Sequence, residues 1–122
     1  MSVRLKTDTV TIGDALVCVL AGDVTMDSEP IAARALNAAL DQEPSVLAVD
    51  LSRVELFTST GLNLLLTLRR RILGRPTALA LVAPSNMVRR VLEITETAPL
   101  FPVYATAEHA ARHSLQPPAA PH

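Results

Sequence analysis

Val49-Asp50-Leu51-Ser52-Arg53-Val54-Glu55-Leu56-Phe57-Thr58-Ser59-Thr60-Gly61-Leu62 is the stretch on which the reading of this chain turns. Its first residues suit a buried strand, a tight turn follows, and the hydroxyls of Thr58, Ser59 and Thr60 arrive where a helix begins. The first four amides of a helix have no intrahelical acceptor, and the helix dipole adds partial positive charge at that end. A phosphoryl group on Thr58, Ser59 or Thr60 would meet a favourable field there, and Ser59 is the leading candidate. Taken alone, Ser and Thr at such a place are ordinary helix caps. Gly61 costs helix propensity in the first turn, which makes sense if backbone or a partner must approach closely.

Working outward, the chain has 122 residues, enough for one domain with a core that needs no disulfide or metal. Apolar residues make up 49% but only Phe57, Phe101 and Tyr104 are aromatic, so the core must be Leu, Val, Ile and Ala. Cys18, the single cysteine, lies in the apolar run Ala15–Ala21 and reads as a core residue. The N-terminal residues lack the continuous apolar region of a secretion signal, and no apolar run approaches the ~18 residues of a spanning helix. A cytoplasmic protein with no membrane insertion is expected. Net charge is −1, and the aromatics are not interleaved with basic residues, which argues against nucleic-acid binding.

Apolar runs without alternation at Leu16–Ala21, Val46–Val49 and Leu79–Ala83 suit strands covered on both faces, and they alternate with helical patterns. The expected fold is α/β: a single domain over residues 1–114, with a mixed, mostly parallel sheet of about five strands and about four helices. The first helix is expected from Glu29 to Leu40, capped by Asp27 or Ser28, with Ile31, Ala35, Leu36, Ala39 and Leu40 on its inner face. The second runs from Ser59 to Leu73 and stops at Gly74. The third follows the cap Ser85, with Val88, Val91, Leu92 and Thr95 inward. A last strand over 102–106 leads to a fourth helix over 107–114. Leu5–Ile12 reads as an edge strand, and residues 115–122, rich in Pro and Ala, as a disordered tail.

On a helical wheel Leu62, Leu64, Leu65, Leu66, Leu68, Ile72 and Leu73 spread over roughly 200°, wider than the ~100° stripe that docks a helix on a sheet. Leu64 and Leu68 lie at the outer edge of that arc and are expected to form an exposed apolar strip suited to a protein partner, unless a neighbouring helix covers them. Arg69-Arg70-Arg71 with Arg75 read as a solvated basic face that suits the helix C-terminus. His109 and His113 have the spacing of a shared metal, but Glu108 and Glu96 are the only further ligands in view, so no metal or other cofactor is expected. Asp23 and Asp27 are candidates to approach Ser59 at the C-terminal ends of the strands. The sequence has no phosphate-binding Gly-rich loop, nucleophile elbow or His-Glu-x-x-His, and all its histidines lie far along the chain from Ser59. Ser59 thus reads as another enzyme's substrate, and no catalytic residue is expected.

Asp50-Leu51-Ser52, Val54, Ser59 and Gly61-Leu62 resemble the signature of the STAS domain of bacterial anti-sigma factor antagonists, roughly Asp-Leu-Ser-x-Val-x-x-x-Asp-Ser-x-Gly-Leu. Leu20–Asp27 resembles the family's Gly-Glu-Leu-Asp turn, and Val88–Thr95 its third helix, so the likeness covers about residues 5 to 113. The one departure is Thr58, where the family usually has Asp. The resemblance implies a protein that binds an anti-sigma factor, often a GHKL-type serine kinase, and is switched off when Ser59 is phosphorylated. Partner contacts are then expected at Asp23, Thr58, Gly61, Leu62, Leu64 and Leu68. The alternatives are a non-switching STAS scaffold or lipid ABC-transporter subunit, which Thr58 favours, and a nucleotide-sensing domain.

Overall fold

A computed structural model describes residues 4–113. Strands β1 (Leu5–Ile12) and β2 (Ala15–Val24) form an antiparallel hairpin whose two-residue turn uses Gly13 at φ +57°. The chain then alternates through α1 (Glu29–Asp41), β3 (Val46–Phe57), α2 (Ser59–Ile72), β4 (Ala78–Val82), α3 (Asn86–Ile94), a 3-10 turn (Ala98–Leu100), β5 (Val103–Tyr104) and α4 (Ala107–His113). The sheet order is β1-β2-β3-β4-β5, and every pair after the first is parallel. The expected mixed α/β sheet with four helices is the observed one.

The missing alternation in the central strands has its physical cause in two covered faces. On the front, α1, α2 and α3 pack on Leu16, Cys18, Leu20, Leu47, Val49, Leu51, Leu79 and Leu81. On the rear, α4 sets Ala107, Ala110 and Ala111 against Ala15, Val17, Val46, Ala48, Ala80 and Val82. Small residues on both sides let this short helix sit close to the sheet. It reaches all five strands on this face, and on β2 and β3 it lies over their N-terminal halves.

Several expectations need correction. The strand expected at Val46–Val49 runs on to Phe57 and absorbs the polar residues in two bulges. Val19 pairs with Asp50 but Ala21 with Arg53, and Gly22 pairs with Val54 but Asp23 with Leu56, so β3 carries one extra residue at each step. Within the first bulge the Asp50 carboxylate accepts from the Ser52 amide at 2.9 Å and its hydroxyl at 2.7 Å. In α1 the buried residues are Ala32, Leu36, Ala39 and Leu40, an i, i+4, i+7, i+8 stripe, and Ile31 is exposed because it falls about 100° off that stripe. Helix α2 ends at Ile72; Leu73 is 62% exposed, and Gly74 takes the left-handed φ of +82°. Thr95 is the C-cap of α3, not an inward residue, and its hydroxyl donates to the Val91 carbonyl at 2.7 Å. Strand β5 holds only two residues. The tail over 115–122 and Ser114 lie outside the described residues.

Candidate functional site

The site forms where β2 and β3 end and α2 begins. Thr58 is the N-cap of α2 in an extended conformation, φ −100° and ψ −176°. Its Oγ1 accepts from the Thr60 amide at 3.3 Å and donates to the Val24 carbonyl at 3.3 Å, while its own amide donates to the same carbonyl at 3.2 Å. One residue thereby caps α2 and fastens it to the end of β2. The following turn, Thr25–Ser28, is held by buried Ser28, whose hydroxyl donates to the Asp23 carbonyl at 2.7 Å and accepts from the Thr25 amide at 2.9 Å. Ser28 is the N-cap position of α1, as expected, but its hydroxyl serves the turn and makes no cap bond.

Glycine is required twice here. Gly22 has φ +121°, and a Cβ on it would lie 2.0 Å from the Arg4 carbonyl oxygen. That carbonyl accepts from the Asp23 amide at 2.7 Å, so the close approach is itself a hydrogen bond. At Gly61 a Cβ would meet the Phe57 ring at 2.4, 2.6 and 2.9 Å. The approach that Gly61 permits is therefore internal: the ring of the last β3 residue lies against the first turn of α2.

Ser59, the first residue of α2, is exposed, and among the described residues its hydroxyl makes no hydrogen bond. The first turn of α2 carries no acidic residue, and helix geometry leaves the Ser59 and Gly61 amides without intrahelical acceptors. A phosphate on Ser59 would meet that positive end with no carboxylate from the same turn beside it. Thr60 is half-buried at the lip of a groove of about 360 Å³ between α1 and α2, which Glu29, Asn63 and Leu64 also line.

The sequence-predicted partner residues divide into two sets. Thr58, Ser59 and Thr60 sit together at the start of α2, while Asp23 lies on the end of β2 opposite Leu56 and bonds Arg4 and Ser28. Gly61, Leu62 and Leu68 are buried, and the expected exposed strip of Leu64 and Leu68 is not one. Leu68 is 2% exposed and Leu64 half-buried against the core, because α2 packs on α1 as well as on the sheet and the wide apolar arc serves both contacts. Sequence reasoning passed over Phe57 as the partner of Gly61 and over Ser28 as the pin of the turn. An aromatic residue four positions before a glycine was the available signal for the first; a serine between a strand and a proline-led helix reads equally well as a plain cap.

The other clusters have structural roles. Arg69 Nε donates to the Leu100 carbonyl at 3.2 Å, Arg70 bonds Thr67 at 3.3 Å, and Arg71 bonds Asn37 of α1. His109 and His113 lie edge to face with ring centroids 4.2 Å apart, and Tyr104 is 5.4 Å from His109. Among the described residues no three potential metal ligands gather. Cys18 is buried, and desolvation pushes its thiol up to about 11.

Fold and site together define a small α/β domain that presents an exposed hydroxyl, that of Ser59, at a helix start anchored to two strand ends. Residues 6–110 match the STAS domain, and the chain belongs to that family. It is similar to an anti-sigma factor antagonist from Mycobacterium paratuberculosis, with 28% identity over 92% of this chain and 95% of that one and a TM-score of 0.82. A putative anti-sigma factor antagonist from Thermotoga maritima matches with 19% identity, 90% and 95% coverage and a TM-score of 0.80. The Bacillus cell fate determinant SpoIIAA in its phosphorylated form matches with 21% identity, 87% and 95% coverage and a TM-score of 0.60. No curated protein matches the sequence. Among the described residues no helix is long and apolar enough to cross a membrane.

Proposed function

We propose that this chain is an anti-sigma factor antagonist, a non-enzymatic binding module that docks on an anti-sigma factor with a GHKL-type serine kinase domain and is released when Ser59 is phosphorylated. The observation that carries the reading is the exposed, unbonded Ser59 hydroxyl at the start of α2, at the family-signature position for the acceptor. The likeness to the mycobacterial antagonist supports the partner class. A phosphoserine adds about −1.5 to −2 charges. The helix end favours that charge, so the fold survives, whereas burying it in an interface opposes docking. An unfavourable change of about 2.8 kcal/mol in binding is a hundredfold loss of affinity.

The test uses wild type, Ser59→Ala and Ser59→Glu as baits in host lysate, with partners identified by mass spectrometry and the captured kinase then incubated with ATP and the wild-type chain. Retention of a GHKL-type kinase by wild type and Ser59→Ala, its loss from Ser59→Glu, and phosphate mapped to Ser59 are expected. If all three baits hold the same partner equally, Ser59 is no switch. Thr58 in place of the usual Asp favours that second reading, a constitutive STAS scaffold or transporter subunit.

A further inference from the structure

We infer that the outer edge of β1 docks on the same edge of a second copy of this chain, joining the two sheets into one across a two-fold axis. Strand β1 has a neighbour, β2, on one side only, and its residues from Lys6 to Thr11 are exposed. The Arg4 carbonyl accepts from the Asp23 amide, so the register makes Lys6, Asp8, Val10 and Ile12 the residues that bond to β2. The backbone N–H and C=O groups of Leu5, Thr7, Thr9 and Thr11 therefore point outward, away from the sheet. Among the described residues one of these N–H groups, that of Thr9, is held, by the Asp8 carboxylate at 2.9 Å.

Charges on an edge ordinarily discourage pairing; here their spacing selects one pairing. An antiparallel pair related by a two-fold axis is isologous, so the residue at the axis faces its own counterpart. An axis at Lys6 or at Asp8 sets like charges together in the close, non-hydrogen-bonded position. An axis at Leu5 sets Lys6 against Arg4, and one at Thr9 sets Lys6 and Asp8 against Ile12 and Val10. With the axis at Thr7, Lys6 faces the second copy's Asp8 and Asp8 its Lys6. In that register Thr7 exchanges backbone bonds with its counterpart, and Leu5 with the second copy's Thr9. The Asp8 carboxylate leaves the Thr9 N–H for the second copy's Lys6, and the freed N–H bonds the second copy's Leu5 carbonyl. This axis stands normal to the sheet, so the copies meet edge to edge and no face is brought against another. On the front, α1 packs on β1 and β2, and its C-terminal neighbour Gln42 lies by Thr11 and Ala15. At ~1.5 Å per residue Ile31 stands ~16 Å further up, near the level of Thr7 and its partner Leu20. Ala33 and Asn37 face the α2 groove, which leaves Ile31 on the flank towards β1. Ile31 is 37% exposed, and the second copy's α1 is what covers it. The edge belongs to β1 and the Ser59 site to the junction of β3 and α2, so the inference does not rest on the proposed switch.

The shared ladder is short and its ion pairs are exposed, so the dimer is a weak one that forms as concentration rises. The experiment is sedimentation equilibrium of the full chain over a concentration series, and wild type is expected to pass from monomer to dimer. Thr7→Pro removes an outward N–H and takes no bond from the pairing with β2, a position at which an edge strand accepts proline. It is expected to weaken self-association roughly tenfold or more. Lys6→Asp and Asp8→Lys each set like charges together twice and are expected to weaken it as much. In an equimolar mixture of these two variants every facing pair is again opposite, and association is expected to return. Circular dichroism confirms that each variant is folded. Wild type that stays monomeric throughout, Thr7→Pro that associates as wild type does, or a mixture no better associated than its components would overturn the inference.

Discussion

Replacing Gly61 with Ala tests whether the glycine serves the fold or a partner. An alanine Cβ would stand 2.4 Å from Phe57 Cε1, 2.6 Å from Cδ1 and 2.9 Å from Cζ, all well inside van der Waals contact. The ring cannot swing aside into water, since Phe57 is only 3% exposed. Either the ring or the first turn of α2 must shift, and overpacking of this kind costs about 1–3 kcal/mol. Against it stands the helix propensity that Ala gains over Gly, up to about 1 kcal/mol. The net expectation is a destabilisation of up to about 2 kcal/mol in urea unfolding followed by circular dichroism. Phe57→Val, which has no atom beyond Cγ, removes all three contacting ring atoms, so in that background the clash should vanish and Gly61→Ala become neutral or stabilising. The double-mutant cycle should therefore show a coupling of about 1–3 kcal/mol, where independent sites add to within ~0.5 kcal/mol. Additive effects, or a stabilisation of the wild type by Gly61→Ala, would refute the internal contact. A variant that is more stable yet binds its partner less well would show that the glycine is kept for the partner.

Thr58→Ala removes both the cap on Thr60 and the tie to Val24; a loss of about 0.5–2 kcal/mol is expected from thermal unfolding, with Thr58→Ser recovering most of it. The Cys18 thiol is raised from 9.0 to about 11 by burial. Below pH 9 both states keep the proton; above it the unfolded chain loses its proton first and binds fewer than the native one, so this group's contribution to stability falls between pH 9 and about 11. The urea midpoint of wild type should drop more steeply over that window than that of Cys18→Ala, and equal slopes would refute the assignment.

The fold was legible because its strongest signals are physical ones that act locally. The three unalternating runs had to be strands covered twice, and Leu5–Ile12, of mixed polarity, had to lie at an edge. That β3 continues through Asp50-Leu51-Ser52 was not legible, because Asp and Ser are turn residues. Here the same carboxylate-to-amide bond that closes a turn is made inside a bulged strand, and only the pairing partner β2 distinguishes the two. The wide apolar arc of α2 was read correctly as surplus for docking on a sheet, but a wheel cannot show that α1 takes up the remainder. Ser28 and Phe57 were missed for a related reason: each acts on a group set by the folded chain, a carbonyl in a turn or the missing Cβ of a glycine.

The start of α2 separates two duties by residue. Phe57, Gly61, Leu62 and Leu65 are buried, and Thr58 is bonded to Val24, so five of the nine residues from Phe57 to Leu65 fix where the helix begins. Ser59 alone among the hydroxyls there is exposed and free of hydrogen bonds among the described residues. A phosphate on it would gain about 0.3–1 kcal/mol from the helix end and disturb no packed side chain. On the proposed reading the modification then changes what the surface offers a partner and leaves the fold intact, which is the requirement for a reversible switch. A substitution at Phe57, Thr58 or Gly61 lacks that separation, since it moves the helix start and alters stability and binding together. Stability measured beside affinity therefore distinguishes a residue that carries the signal from one that merely holds it in place.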